Sequence, residues 1–207
     1  MYLSRLTLNP RQPQARRDLS DPYEMHRTLS RAFVVDAATP PARFLWRLES
    51  GAGFQPSTVV LVQSATRADW SVFDPMAAYA DEILGNKAID LDALIRDGAR
   101  YRFRLLANPT VTRAGKRYGL VREDDQVAWL ARQGERNGFR LHGCVRGASE
   151  RLRVNQKRTP NRITVDTALF DGLLEVESSS LVKTALRNGL GHAKAFGLGL
   201  LSVARAG

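Results

Sequence analysis

Residues 2 to 8, Tyr-Leu-Ser-Arg-Leu-Thr-Leu, read as a strand closed by Asn9-Pro10, and they open a pattern of strand, helix, two strands, helix and strand that recurs roughly in the second half of the chain. An order of that kind leaves few folds open. After a loop or short helix, Asp21-Pro22-Tyr23-Glu24 gives a strong helix start, with Asp21 as N-cap, Pro22 at the first helical position and Glu24 at the capping-box position. This helix is expected to run to about Val34, short of Pro40-Pro41. Strands follow at Phe44 to Leu48 and Thr58 to Val62, separated by Gly51-Ala52-Gly53. A second helix is expected between Pro75 and Leu84, followed by an Asp-rich connection.

The second half opens with Tyr101 to Leu106, an alternating strand whose arginines share one face, ending at Asn108-Pro109. Asp124-Asp125-Gln126 starts a helix with Val127, Leu130 and Ala131 as its apolar stripe, and Asn137-Gly138 stops it. Strands are expected at Phe139 to Val145, Arg151 to Asn155, Ile163 to Leu169 and Leu173 to Val176. Ser179 or Ser180 caps a last helix through Leu186, Gly189 ends it, and a final strand covers Leu198 to Val203. The expected fold is α+β, a tandem pair of ferredoxin-like βαββαβ domains over residues 1–90 and 98–207, with the linker near residues 86 to 98.

Charge separates the halves. Residues 1 to 100 hold 12 Lys/Arg and 12 Asp/Glu, residues 101 to 207 hold 19 and 9, so the net charge of +10 sits in the second half. Between Arg140 and Arg162 stand seven basic residues and one acid, Glu150, a composition suited to a phosphate backbone. The one cysteine, Cys144, cannot close an internal disulfide or begin a zinc site, which points to a reducing cytoplasm. No segment has the apolar length of a signal sequence or a membrane span, so a soluble, unexported protein with no membrane partner is expected.

On the helix after Asp21, Met25, Leu29, Ala32 and Phe33 form the core stripe, and His26 sits at its edge. Tyr23 and Ser30 share its flank, with Arg27 beside them. Phenol, imidazole, hydroxyl and guanidinium thus line a strip near a helix N-terminus, where a phosphate can dock. Metal-free RNA cleavage needs help in deprotonating the 2′-hydroxyl, a proton for the departing 5′-oxygen, and cations for the phosphoryl charge. His26 suits the acid role, because an imidazole titrates near working pH. Tyr23 can orient the 2′-hydroxyl or the phosphate. Periodicity alone favours a plainer reading: a boundary histidine making one hydrogen bond and a tyrosine on the helix surface. His142, within a strand, reads as packed or exposed rather than catalytic.

Residues 189 to 199 read Gly-Leu-Gly-His-Ala-Lys-Ala-Phe-Gly-Leu-Gly. Gly189, Gly191, Gly197 and Gly199 can let N–H groups converge on an oxyanion, with Lys194 adding charge; His192 stands among them. The segment is neither a nucleotide P-loop nor a dinucleotide fingerprint. A phosphate cradle and a helix C-cap followed by a tightly packed strand stand level.

Tyr2-Leu3-Ser4-Arg5, Tyr23-Glu24-Met25-His26, Phe103-Arg104-Leu105 leading to Ala107-Asn108-Pro109, Gly115-Lys116-Arg117, Ala128-Trp129-Leu130 and the ending from Gly189-Leu190-Gly191 to Leu200-Leu201-Ser202 span nearly the whole chain. In that order and spacing they resemble the CasE family of CRISPR-associated endoribonucleases. The resemblance implies RRM-related ferredoxin-like domains, the repeat-RNA processing subunit of Cascade, and metal-independent cleavage of precursor CRISPR RNA at the base of a repeat hairpin, leaving a 2′,3′-cyclic phosphate and retaining the mature RNA. No cofactor and no metal site is implied. The family's catalytic histidine falls on His26 and its companion tyrosine on Tyr23. Its basic β-hairpin falls on Arg151 to Arg162, turning near Thr159-Pro160-Asn161, with Arg153, Lys157, Arg158 and Arg162 as candidate stem contacts. Lys116, Arg117 and Lys194 can add positive charge near the RNA, although a solvated basic face is the default for any one of them.

Three other readings compete. A non-catalytic RRM-like hairpin-binding module would use the same charge and have no cleavage to lose. A metal-dependent nuclease is disfavoured by the scatter of the acids, and a basic ribosomal protein would make no site-specific cut.

Overall fold

The structure, a computed structural model, describes residues 1–36, 38–49, 58–147, 151–155 and 162–206. It divides into two compact units, Met1–Ile89 with Ala195–Gly197, and Asp90–Lys194 with Leu198–Gly207.

The first unit runs β1 (Tyr2–Leu8), α1 (Pro13–Ser20), α2 (Pro22–Ser30) with a 3-10 turn at Arg31–Phe33, β2 (Phe44–Leu48), β3 (Val59–Ser64), a second 3-10 turn at Trp70–Phe73, and β4 (Ala80–Ala88). The strands form one antiparallel sheet in the order β2-β3-β1-β4. On β1 the inward positions are Ser4, Leu6 and Leu8, as a period of two requires. Leu6 and Leu8 join Met25, Leu29, Phe33, Phe44, Trp46, Val60, Val62, Phe73 and Tyr79 in the core, where full burial of one such side chain contributes about 1.5–3 kcal/mol. Ser4 is tolerated on that face because its hydroxyl accepts from the Trp70 Nε1–H and from the Asn86 backbone N–H.

The helix expected at Pro75 to Leu84 is absent. Residues 80–88 form β4 instead, and they pair with the edge of β1 that β3 leaves open. Ala78, with a φ of 57°, lies in the left-handed region, which an α-helix cannot contain. Satisfying a whole row of β1 backbone groups outweighs the local helical preference of an alanine-rich stretch. The first helix is also shorter than expected, tightening into the 3-10 turn after Ser30.

The second unit runs α3 (Leu91–Leu94), β5 (Arg100–Ala107), β6 (Thr110–Arg113), β7 (Lys116–Gly119), α4 (Glu123–Asn137), β8 (Phe139–Arg146), β9 (Arg151–Asn155), β10 (Arg162–Asp166), β11 (Ala168–Val176), α5 (Ser179–Asn188) and β12 (Leu201–Arg205). Its main sheet is ordered β12-β5-β11-β8, again antiparallel. In both units the first strand lies between the third and the fourth, the ferredoxin-like arrangement. On β5, Tyr101, Phe103 and Leu105 are buried while Arg100, Arg102 and Arg104 share the other face. α4 stops at Gly138, whose φ of 75° is left-handed. The N-terminus of α5 is capped from a distance: the Asp97 carboxylate accepts from the Ser179 N–H at 2.5 Å, where the sequence predicts a local serine cap. Beyond the main sheet, β6 pairs with β7 and β9 with β10 as two hairpins. Among the described residues no helix is long and apolar enough to cross a membrane.

Candidate functional site

α2 begins as the sequence demands, with the Asp21 carboxylate accepting from the Tyr23 N–H at 2.9 Å and Pro22 at the first helical position. Glu24 is buried, and its carboxylate bridges Arg17 at 3.2 Å and Arg27 at 2.5 Å. Arg27 itself is mostly exposed, yet its guanidinium is engaged by that carboxylate. One turn on, the His26 ring stacks on Phe44 of β2, with centroids 4.9 Å apart and planes 21° from parallel. Its Nδ1 is buried and without a hydrogen-bond partner among the described residues. Burial holds the imidazole below its ordinary pKa, so the ring is neutral at neutral pH. Ser30, expected beside His26 on a phosphate-facing strip, donates its hydroxyl to the His26 carbonyl at 2.7 Å and so faces the helix backbone. Tyr23 is half-buried.

In the second unit two cations act on His192. Partial burial, with the charges of Arg117 on β7 and of Lys194, holds its imidazole below the ordinary value. In the tail, Gly189, Gly191, Gly197 and Gly199 all have positive φ. The Gly189 N–H closes α5 on Ala185, and the Gly199 N–H donates to the Leu106 carbonyl at 2.7 Å, so neither is free for an anion. A Cβ on Gly199 would stand 2.5 Å from the Leu190 carbonyl oxygen, and one on Gly197 would stand 2.8 Å from the Trp46 ring. Close packing accounts for these two glycines.

Of the basic hairpin, Arg151 is paired with Asp166 across β9 and β10 at 2.8 Å, and its side chain is 58% exposed. Arg153 and Arg162 lie in those strands; their side chains, and all of Lys157, Arg158 and Thr159-Pro160-Asn161, lie outside the described residues, as does Gly51-Ala52-Gly53. Lys116 and Arg117 stand exposed on β7. By contrast, three arginines of the open face of the main sheet meet carboxylates: Arg104 pairs with Asp171, and Arg100 and Arg140 share Glu175, while Arg102 on the same face has no carboxylate partner among the described residues. His142, exposed on β8, joins Glu175 at 2.7 Å. Among the described residues no group of three or more His, Cys, Asp or Glu side chains is placed to hold a metal ion. Cys144 is a half-buried free thiol. Phe44, which shields His26, carries no signal in the sequence beyond that of a core strand residue.

Two ferredoxin-like units, one bearing a shielded histidine on its first long helix and the other an excess of cations, define a protein of the RRM-related class. Comparison with known proteins gives the family: a model described as CRISPR associated protein matches residues 1–205, and the chain belongs to that family. It is 43% identical over 216 residues to the CRISPR-associated endoribonuclease Cse3 of Thermus thermophilus, covering 99% of this chain and 100% of the relative. It is 27% identical to the CRISPR system Cascade subunit CasE of Escherichia coli, covering 99% of each. The structure of Thermus thermophilus Cse3 bound to an RNA representing a pre-cleavage complex matches with a TM-score of 0.87 at 42% identity over 98% of each chain.

Proposed function

We propose that this protein is a site-specific, metal-independent endoribonuclease that cuts precursor CRISPR RNA at the base of the repeat hairpin, keeps the mature RNA and works with Cascade subunits in the cytoplasm. Full-length similarity to a protein named as a CRISPR-associated endoribonuclease supports the reaction class. The observation that carries the chemistry is the His26 ring, held on a capped helix and stacked on Phe44, with one nitrogen buried.

The 2′-hydroxyl gives its proton to solvent and its oxygen forms a bond to the adjacent phosphorus as the bond from phosphorus to the 5′-oxygen breaks, which leaves a 2′,3′-cyclic phosphate. His26 delivers a proton to the departing oxygen. Its neutrality in the free protein suits this task, because the approach of a phosphodiester anion raises the pKa of a nearby imidazole and recruits the proton when substrate docks. Tyr23, one turn earlier, orients the 2′-hydroxyl or the phosphate. Arg27 is held by Glu24 and supplies long-range field. In the second unit, Arg117, Arg151 and Lys194, with Arg153, Lys157, Arg158 and Arg162, hold the stem through its phosphates and its shape, and Lys116 adds positive charge near the RNA. Gly191 lies beside Trp129 and the Asn108 carbonyl, and Gly199 lies beside the Lys194 side chain.

The deciding assay gives purified protein its repeat RNA in excess EDTA, beside the His26→Ala variant. The expected result is a single cut by the wild type, and retained hairpin binding with cleavage slowed about 10²–10⁴-fold in the variant. Loss of the cut in EDTA, or full cleavage by His26→Ala, would overturn this reading.

A further inference from the structure

Gly115-Lys116-Arg117 carries part of the family resemblance, and Tyr118 follows it directly. In the structure these residues belong to a two-stranded hairpin, β6 and β7, with Arg113 opposite Lys116 and Val111 opposite Tyr118. The two residues between the strands, Ala114 and Gly115, have φ of 47° and 75°. Positive φ at both central positions is the tight two-residue turn whose twist suits a hairpin. Its base is tied down by the Leu120 N–H on the Pro109 carbonyl, and by the Gln126 side chain on the Leu120 carbonyl.

A register of this kind sorts the side chains into two faces. One carries Thr112 and Arg117 and ends at Gly119, where a Cβ would stand 2.6 Å from the Asp166 carboxylate that holds Arg151. This face therefore abuts the basic hairpin of β9 and β10, and Arg117 on it acts on His192 together with Lys194. The other face carries Val111, Tyr118, Arg113 and Lys116. No carboxylate pairs with Arg113 or Lys116 among the described residues, unlike Arg100, Arg104 and Arg140 of the main sheet.

Tyr118 differs from Tyr2, Tyr79 and Tyr101, and it is more exposed than the half-buried Tyr23. Tyr79 and Tyr101 are buried with their hydroxyls bonded, and Tyr2 lies under the Arg67 guanidinium. Tyr118 is 50% exposed. Among the described residues its hydroxyl has no hydrogen-bond partner, and its ring meets no other aromatic ring or cation. An open ring flanked on its own face by two unpaired cations is the arrangement that holds single-stranded nucleic acid, with the bases on the ring and the phosphates on the cations. Bases inside a paired stem are already stacked and offer no free face.

We infer that Tyr118, with Arg113 and Lys116, is a stacking site for an unpaired nucleotide flanking the repeat hairpin, so that the two faces of β6–β7 read paired and unpaired RNA separately. This rests on the RNA-processing function proposed above and adds a substrate feature to it.

The test measures dissociation constants of wild type, Tyr118→Ala and Tyr118→Phe for two RNAs, the repeat hairpin with its single-stranded flanks and the same stem-loop trimmed flush. A 2-aminopurine in each flank in turn reports stacking. Circular dichroism and thermal melting establish that each variant is folded, and Tyr118→Leu replaces Tyr118→Ala if the latter is not. The expected result is that Tyr118→Ala weakens binding of the flanked RNA about tenfold, leaves the trimmed RNA unchanged and removes the fluorescence change in one flank, while Tyr118→Phe keeps all three wild-type values. Equal affinity of wild type and Tyr118→Ala for the flanked RNA, or an equal loss on both RNAs, would overturn the inference. Failure of the wild type to bind either RNA would instead overturn the function on which it rests.

Discussion

His26 and Phe44 are stacked face to face with ring centroids 4.9 Å apart, so one side of the imidazole is closed to water by a core residue of β2. The same ring of Phe44 stacks on Phe33, at 4.5 Å, which locks the shield in place from behind. Burial lowers the histidine pKa because the charged form loses solvation.

Removing that shield should move the pH profile. For a ring that must be protonated to act, kcat/KM falls as pH rises through the pKa of the free protein. Phe44→Ala is expected to shift this limb to higher pH, towards the ordinary histidine value of about 6.5. A wild-type and variant profile superimposing on this limb would show that Phe44 does not set the ring's protonation.

The same burial has a consequence for stability, with a definite sign. A histidine whose folded pKa lies below its unfolded value costs nothing while both forms are neutral. As pH falls through the unfolded value, near 6.5, the unfolded chain takes up the proton first and stability declines, levelling off below the depressed folded value. Denaturant melts at pH 7.5 and pH 5.5 are therefore expected to differ less in His26→Ala than in the wild type.

Asp21→Ala should remove the cap on the Tyr23 N–H, at a cost of about 0.5–2 kcal/mol. Because this cap fixes the turn that carries both Tyr23 and His26, cleavage is expected to fall more than hairpin binding. Single-turnover rates and binding constants for this variant separate the two effects.

Alanine at Lys116 or Arg117 should weaken RNA binding and also reduce its salt dependence. Removing one phosphate-neutralising cation lowers the slope of log K against log[salt] by about 0.7–0.9. A titration series in potassium chloride checks this, and charge reversal at Arg158 tests the basic hairpin in the same assay. Arg104→Ala serves as the contrast, since Asp171 already neutralises that guanidinium; its slope is expected to match the wild type.

Gly199→Ala is expected to destabilise the second unit. A φ of 88° alone costs an L residue about 1–3 kcal/mol, and the new methyl would overlap the Leu190 carbonyl at 2.5 Å. Thermal melting should show a loss of several degrees, in contrast with Gly143→Ala, where the added carbon meets nothing within 4 Å.

Much of the fold was legible because its signals are local. The alternation of Tyr101, Phe103 and Leu105 with Arg102 and Arg104 marks β5, and Asn137-Gly138 marks the end of α4. Asp21-Pro22 marks the start of α2, and the spacing of Tyr23 from His26 puts them one turn apart on that helix. The hairpin of β6 and β7 has no such mark, because its strands are short and polar and because Ala114-Gly115 lacks the Asn-Gly or Asp-Gly signature of its turn. The helix expected at Pro75 to Leu84 fails for a different reason: the competitor is the edge of β1, far away in sequence, where Leu8 meets Ala80 and Tyr2 meets Ala88.

The order of residues along the chain is thus enough to specify most of the alternating strands and the starts and stops of the longer helices, the excess charge in the second half, and the helix on which the histidine rides. Those properties depend on residues within a few positions of one another, where side-chain period and capping chemistry act. Long-range packing alone settles that Phe44 covers His26, that Asp97 caps α5, and that residues 80–88 extend along β1. Each of these is fixed by partners far apart in sequence, and the energy of such a contact, on the order of 1 kcal/mol, is enough to overrule a local preference of the same size.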